Sequence, residues 1–153
     1  MEPTARANEF TVLAFDFGTR RTGVAVGNTL VRVAHPLATI AAEANASRLE
    51  AIAALIAEWQ PGLLVLGRPV HADGTEHAMT ARADRFARQL RGRFGLTVAF
   101  VDERHTTQDA EATLAAAGAG GRAGKAARDQ VAAQQILQSW FDDDQRNPAR
   151  GTA

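Results

Sequence analysis

The chain has 153 residues, of which 46% are hydrophobic, and it contains no cysteine. One domain of this size buries roughly two thirds of the surface of its unfolded chain, and the lack of cysteine excludes disulfides, thiol catalysis and Cys-based zinc sites. The 17 acidic and 17 basic residues cancel, which argues against non-specific coating of nucleic acid but allows a local basic patch.

The two ends of the chain predict flexible tails around a single domain. Residues 1–9 are polar and lack the apolar core of a signal peptide, and residues 142–153 are an acidic, then mixed, segment. No apolar run approaches the length of about 18 residues that crosses a membrane. We therefore expect a cytoplasmic domain over residues 10–141 with no membrane partner.

Residues 12–27 predict a β-hairpin around which the other elements are arranged. A β-branched and aromatic strand ends on Asp16, and a short turn containing Gly18 leads into a second apolar strand. A carboxylate at the end of a buried strand must be hydrogen-bonded, paired or bound to a metal, because a bare buried charge is costly. Asp16 could equally cap its own turn, so the hairpin leaves both interpretations open.

The next stretch predicts an edge strand, a helix and a central strand. Residues 30–40 form the third strand, in which Pro36 indicates an edge position or a strand end. Residues 47–50 match a capping box, and the helix that follows has one apolar face before Pro61 and Gly62 end it. The apolar run at 63–66 predicts a strand buried on both faces, followed by a turn-rich loop at 67–75. The apolar helix face comprises Leu49, Ile52, Ile56 and Trp59.

Residues 76–93 predict a second helix with an apolar face and a basic flank. Charged residues on one flank of a helix are typical of a solvated face, and we favour that interpretation over contact with nucleic acid. The apolar face comprises Met79, Ala83, Phe86 and Leu90, whereas the flank carries Arg82, Arg85 and Arg93, with Arg88 and Arg91 further round.

The last third of the chain places two more acids beside predicted elements. A fifth strand at 96–101 leads directly into Asp102 and Glu103, and Thr106 or Thr107 then begins a third helix. A flexible loop at 118–124 precedes a last helix at 126–141. Helical spacing puts Asp129 on its inward stripe, although stabilisation of the helix start is an alternative role. The stripe comprises Ala132, Ala133, Ile136, Leu137 and Trp140.

These elements predict an α/β fold with a site at one edge of the sheet. Strands that alternate with helices after the hairpin indicate parallel strands joined by right-handed crossovers. Ligands of such sheets bind outside the carboxyl ends of the strands, where Asp16 and Glu103 lie, and Asp129 can converge on them. Oxygen ligands favour Mg²⁺ or Mn²⁺, ions that can activate water and stabilise the leaving oxygen in phosphodiester cleavage.

Four motifs in order resemble the YqgF/RuvX family, whose members are described as pre-16S rRNA nucleases or Holliday-junction resolvase-like proteins. The resemblance covers about residues 10–141. Its motifs are DFGTRRTGVA at 16–25, VLGRP at 65–69 with DGTE at 73–76, DER at 102–104, and Asp129 followed by the apolar pairs at 132–133 and 136–137. The chain departs from the family pattern at Arg68 and His105, where an aliphatic residue is common, and at His71, where a polar amide is common.

The resemblance implies an RNase H-like fold, and motif order and strand signals predict a five-stranded mixed sheet with helices on both faces. It further implies that Asp16, Glu103 and Asp129 are catalytic acids that bind Mg²⁺ or Mn²⁺. The implied role is maturation of the 5′ end of pre-16S rRNA, so that nucleic acid is the partner, pre-rRNA rather than a DNA junction. Basic residues beside the acids are predicted to hold phosphates: Arg20, Arg21, Arg104, Lys125 and Arg128.

Three other functions stay open at this point. One is a Holliday-junction resolvase, for which a homodimer would be suited because two strands must be cut symmetrically. Another is a non-catalytic module that binds RNA or the ribosome, in which the arginines matter and the acids are dispensable. The third is the superfamily of sugar kinases, actin and chaperone ATPases, whose first hairpin also opens with Asp-x-Gly. Those proteins need two such lobes, and 153 residues hold one.

Overall fold

The computed structural model describes residues 9–103 and 121–146. The described elements are five strands and three helices. They are β1 (Thr11–Asp16), β2 (Arg21–Asn28), β3 (His35–Ala41), α1 (Asn45–Trp59), β4 (Leu63–Arg68), α2 (Ala78–Phe94), β5 (Val98–Asp102) and α3 (Gly121–Arg146).

One sheet contains all five strands, in the order β3-β2-β1-β4-β5. β1, β2 and β3 pair antiparallel, whereas β4 pairs parallel with both β1 and β5. The helices α1 and α2 serve as the crossovers that parallel strands require. The predicted five-stranded mixed sheet with an antiparallel first half is confirmed.

The sheet separates two apolar cores because successive side chains of a strand point to opposite faces. In β1, Leu13 and Phe15 pack in the core beside α1 and α2, whereas Val12 and Ala14 pack in the core beside α3. All four side chains are fully buried. Asp16 follows Ala14 by two residues and therefore lies on the α3 face of the sheet.

The third strand is shorter than residues 30–40. It begins at His35, and Leu30 and Val31 lie in a turn with 63% and 65% of their surface exposed. Arg32 adopts a left-handed backbone conformation with φ of 61°, which an extended strand does not allow. Pro36 does lie in an edge strand as predicted, beside an irregularity in its pairing with β2.

The predicted capping box at 47–50 is wrong. Helix α1 begins at Asn45, its N-cap is Ala44, and no side chain caps it. Ser47 therefore lies inside the helix instead of at its start. The predicted apolar face is confirmed, with Leu49 and Ile52 buried and Ile56 packed against the same core.

Helix α2 begins two positions later than expected because His77 caps it. The Met79 N–H donates to Nδ1 of His77 at 3.2 Å, and the His77 N–H donates to Oγ1 of Thr80 at 3.0 Å. The predicted apolar face is confirmed at Ala83, Phe86 and Leu90, which are all buried.

Helix α3 is longer than residues 126–141 at both ends. Residues 121–124 are helical and not a loop, and the helix continues to Arg146. Phe141, the last residue of the predicted helix, is buried against the sheet next to Gly27, which ties the C-terminal turns to the core. The helix predicted from Thr106 or Thr107 lies outside the described residues. None of the helices described is both long and apolar enough to cross a membrane.

Candidate active site

Asp16 is the last residue of β1 and the starting point of the site. Its backbone pairs with Gly23 of β2, and its side chain lies on the α3 face, partly accessible to solvent. The side chain therefore lies at the carboxyl end of β1, and α/β proteins bind their ligands just beyond the carboxyl ends of their strands.

Glu103 reaches Asp16 across the intervening strand β4. The two side chains are hydrogen-bonded to each other although β1 and β5 are not neighbours. A Cβ at Gly67 of β4 would lie 2.8 Å from both Cγ and Cδ of Glu103, so the glutamate side chain lies over the space that this glycine leaves. The bare backbone at Gly67 is therefore what allows the carboxyl groups to meet.

Asp129 lies near Asp16 because α3 packs closely against a second glycine, Gly23. A Cβ at Gly23 would lie 1.9 Å from the backbone oxygen of Asp129, so α3 rests directly on β2 at this point. Because Gly23 is the residue paired with Asp16, this contact fixes the helix beside the end of β1. The Gln130 amide donates to Oγ1 of Thr39 at 3.2 Å and ties the same turn of α3 to the edge strand.

Burial and mutual repulsion raise the pKa of two of these acids. Burial raises the pKa of Asp16 to about 6; the hydrogen bond with Glu103 opposes this rise and the charge of Asp129 adds to it. Burial, followed by the charge of Asp16, raises the pKa of Glu103 to about 9. Both shifts favour a proton held between the two carboxyl groups, in the hydrogen bond that joins them.

Arg21 supplies the positive charge beside Asp129. Its Nε donates to Oδ2 of Asp129 at 2.6 Å, and the two side chains are 40% and 18% exposed. This pair holds the Asp129 carboxylate at the wall of a cavity of about 260 Å³. Asp16, Asp129, Arg20, Arg21 and the turn at 17–19 line the cavity.

The predicted basic residues are placed differently from one another. Arg20 and Arg21 line the cavity with the acids, whereas Lys125 and Arg128 are exposed on α3 on the N-terminal side of Asp129. Arg104 lies outside the described residues. Over residues 9–103 and 121–146, no group of three acidic or histidine side chains is already spaced as a metal-binding cluster.

The positions that depart from the family pattern lie away from the acids. Arg68 points to the α2 face, where its guanidinium donates to Asp84 at 3.0 and 3.1 Å and to Glu76 at 2.8 Å. His71 is exposed, and its ring centre lies 4.7 Å from that of His77. His105 lies outside the described residues.

Gly23 and Gly67 are the site residues that the sequence interpretation missed. Both lie inside the motifs at 16–25 and 65–69, which assign them no role. A glycine inside a strand indicates close approach of another part of the chain, and that signal is present at both positions.

Comparison with known proteins identifies the family of this chain. Residues 10–143 match the family model described as RuvX: Holliday junction resolvase. The chain belongs to the RuvX family. It is 53% identical over 142 residues to a protein of Methylobacillus flagellatus, covering 93% of this chain and 97% of that protein. A protein of Chromobacterium violaceum is 56% identical over 131 residues, covering 85% and 96%. Both relatives are named "Putative pre-16S rRNA nuclease".

A solved structure confirms the fold of this RuvX-family chain. RuvC of T. thermophilus, in complex with a Holliday junction substrate, superposes with a TM-score of 0.52 over 90% of this chain and 96% of that chain. The two sequences are 15% identical, so the similarity shows the fold alone. The predicted RNase H-like fold is confirmed.

Proposed function

We propose that this protein is a divalent-metal-dependent nuclease that cleaves phosphodiester bonds in 5′-end maturation of pre-16S rRNA. The observation that carries the proposal is that Asp16 is hydrogen-bonded to Glu103 and lines one cavity with Asp129, at the carboxyl end of the sheet. Asp16 ends β1, Glu103 follows β5 and Asp129 lies on α3. The names of the relatives supply the substrate class, and the cytoplasm is where a bacterial pre-rRNA would be met.

The donor set fits Mg²⁺ or Mn²⁺. All three side chains offer carboxylate oxygens, the ligands that these ions prefer. Asp16 and Glu103 share a proton because two buried charges would repel, and a cation between them would remove the need for that proton. When bound, such an ion supplies an activated water and stabilisation of the leaving oxygen.

The protein's own contribution is to hold these acids and the substrate in place. Gly67 and Gly23 let Glu103 and Asp129 approach Asp16, and Arg21 holds the carboxylate of Asp129 by an ion pair. Arg20 and Arg21 line the same cavity and are suited to contact phosphate oxygens, because a guanidinium offers several donors in one plane.

The five predicted basic residues bind phosphates in this proposal: Arg20, Arg21, Arg104, Lys125 and Arg128. Replacing any one by alanine should weaken binding uniformly across sequences and reduce the salt slope by about one unit. Titration of the same oligonucleotide at several salt concentrations measures this slope. An unchanged salt dependence in all five variants would contradict the assignment.

A second candidate function is cleavage of four-way DNA junctions. The family description, RuvX: Holliday junction resolvase, favours it. This activity requires two active sites placed symmetrically, so a homodimer would be needed.

The direct test compares end-labelled RNA, single-stranded DNA and a four-way junction of matched sequence, each with Mg²⁺, Mn²⁺ or chelator. We expect metal-dependent cleavage of the RNA and no product in chelator. Paired, symmetric cuts confined to the junction would favour the resolvase. Binding that persists in chelator, with no cleavage of any substrate at any metal concentration, would indicate a non-catalytic module and contradict the proposal.

A further inference from the structure

A second cavity of about 250 Å³ lies on the opposite side of the β1–β2 turn from the acids. It opens between the start of α1 and the middle of α2. Its polar lining consists chiefly of Arg48, Arg82, Arg85, Asn45, Gln89 and Glu43. Three arginines face one glutamate, so the lining carries an excess of positive charge.

Arg48 is a buried cation without a counter-charge. Only 3% of its surface is exposed, and its guanidinium donates to the carbonyl oxygens of Thr19 at 2.7 Å and Ala42 at 2.8 Å. A third hydrogen bond runs to Oδ1 of Asn45 at 3.3 Å, and Nε is buried without a partner. Every acceptor is neutral, and over residues 9–103 and 121–146 no carboxylate forms an ion pair with Arg48. A buried charge in this state is stabilised by an anion.

Arg82 and Arg85 extend the positive charge to the surface. They lie three residues apart on α2, and both are exposed at the edge of the cavity. In the described part of the chain neither forms an ion pair. The first turn of α1 contains no acid and has no side-chain cap, so the positive end of its dipole is also open to an anion.

The two cavities meet at the turn between β1 and β2. Phe17 and Thr19 line both of them, one with the acids and the other with the arginines. A chain of phosphates that crosses this turn can therefore have one phosphate at the acids and a neighbouring one among the arginines. A single free phosphate could occupy only one of the two cavities.

We propose that the cavity lined by Arg48, Arg82 and Arg85 binds a backbone phosphate of the nucleic-acid strand that is cut at Asp16. The inference rests on the proposed function and adds a second point at which the strand is held. It assigns Arg82 and Arg85 to substrate binding, in place of the solvated basic flank that the sequence favours. The cavity would recognise the same phosphate chemistry in two kinds of ligand. One is the backbone phosphate proposed here, and the other is free phosphate or a nucleotide.

The test uses two double variants of the same helix. R82Q/R85Q removes charge from the cavity, whereas R88Q/R91Q removes the same charge from exposed residues that do not line it. Arg48 is kept in both variants, so that the hydrogen bonds of its buried guanidinium are not disturbed. Binding of a fluorescent single-stranded RNA is measured in chelator at several salt concentrations, and melting temperatures check that both variants fold.

We expect R82Q/R85Q to raise the Kd about tenfold or more, the effect of losing a hydrogen bond to a charged group. Its salt slope should fall by about one unit, whereas that of R88Q/R91Q should change less. Equal losses in the two double variants would overturn the proposal, because charge anywhere on α2 would then serve as well. An unchanged Kd in R82Q/R85Q would overturn it too.

A second arm distinguishes the two sources of phosphate. Inorganic phosphate is titrated into the protein, and backbone amide shifts at 43–48 and 82–89 are followed by NMR. Phosphate binding that R82Q/R85Q abolishes, with RNA binding unaffected, would overturn the strand proposal in favour of a free anion. The protein could also bind RNA through Arg82 and Arg85 and cleave no substrate. That result would support phosphate binding in the cavity and contradict only the proposed nuclease function.

Discussion

The two sides of the β1–β2 turn differ in how their buried charges are compensated. On the α3 side, the half-buried Asp16 and Glu103 lie so close together that they share a proton. On the side of α1 and α2, Arg48 is buried among neutral acceptors with Arg82 and Arg85 beside it. Arg20 and Arg21 line the cavity with the acids, whereas in the part of the chain that the structure describes no carboxylate forms an ion pair with Arg48.

This difference is what the two proposals above require, because each of them assigns a charged ligand to one of the cavities. Arg68 shows the contrasting case on the α2 face, since it is more exposed than Arg48 and is nevertheless paired with Asp84. In the proposals, a divalent cation binds at the acids and a phosphate of the same strand binds among the arginines. Substitutions on one side of the turn can therefore be compared with an intact opposite side.

The largest effect is expected from Gly23→Ala. The new Cβ would lie 1.9 Å from the backbone oxygen of Asp129. A rotamer change cannot relieve this clash, so α3 itself would have to move away from β2. We expect a loss of about 3 kcal/mol or more in the free energy of unfolding and no measurable cleavage. Urea unfolding and the RNA cleavage assay measure the two effects.

Gly92→Ala is the matched control for this substitution. Gly92 lies inside α2, and nothing lies within 4 Å of the Cβ it would gain. Alanine there should stabilise the protein by up to about 1 kcal/mol and leave cleavage unchanged. A stable, active G23A variant would show that α3 does not rest on β2 as described.

Gly67→Ala should affect activity more than stability. Its Cβ would lie within 2.8 Å of the Glu103 side chain and 2.5 Å of Cδ1 of Ile136, and both side chains can move aside. We expect a cost of about 1 kcal/mol in stability. Displacing Glu103 from Asp16 should lower the cleavage rate about 100-fold.

The same variant sharpens the contrast between the two sides of the turn. RNA binding in chelator depends on the arginines and should be unchanged in G67A. Cleavage at the wild-type rate in this variant would show that contact between Glu103 and Asp16 is unnecessary for the reaction.

A smaller effect is expected in the pH dependence of the metal-free protein. The unfolded carboxyls have pKa values near 4, whereas those of Asp16 and Glu103 are raised in the folded state. Between these values the folded state binds more protons, so stability falls as the pH rises from 5 to 8. For one proton the slope is at most about 1.4 kcal/mol per pH unit.

Urea unfolding in chelator at three pH values measures this slope. E103Q should flatten it, and added Mg²⁺ should reverse it by favouring the ionised acids. Asp73→Asn is the control: hydrogen bonds from Thr75 lower the pKa of Asp73, so it does not titrate in this range. A slope that E103Q leaves unchanged would show that the pair does not share a proton.

The sequence predicts the strands, and the positions of Asp16 and Asp129 on their elements, because both depend on local patterns. Apolar runs define β1 and β4. Asp16 is the last residue of β1 and therefore lies at the carboxyl end of the sheet. Helical spacing likewise places Asp129 toward the sheet. The edge position of β3 follows from Pro36 alone.

Contacts between distant elements are what the sequence does not predict. The approach of α3 to Gly23 joins residues more than a hundred positions apart, and the path of Glu103 over Gly67 depends on strand order. The cavity around Arg48 forms only when the start of α1 meets the middle of α2, so no single segment contains its pattern. The predicted capping box was wrong for a different reason. Its four-residue motif matched by chance, and the helix begins before it, at Asn45.

The central claim is that Asp16, Glu103 and Asp129 act together on a cation, and three amide variants test it most directly. D16N, E103Q and D129N keep shape and hydrogen-bonding capacity while removing the charge. Mn²⁺-dependent RNA cleavage and the melting temperature in chelator are measured on each. We expect every variant to lose at least about 100-fold in cleavage. In chelator the melting temperature of D16N and E103Q should hold or rise, because the crowded pair of carboxyls is removed, whereas D129N also loses the ion pair with Arg21 and should melt slightly earlier. Two or more variants that remain active and melt earlier would contradict the claim, since the acids would then be structural caps.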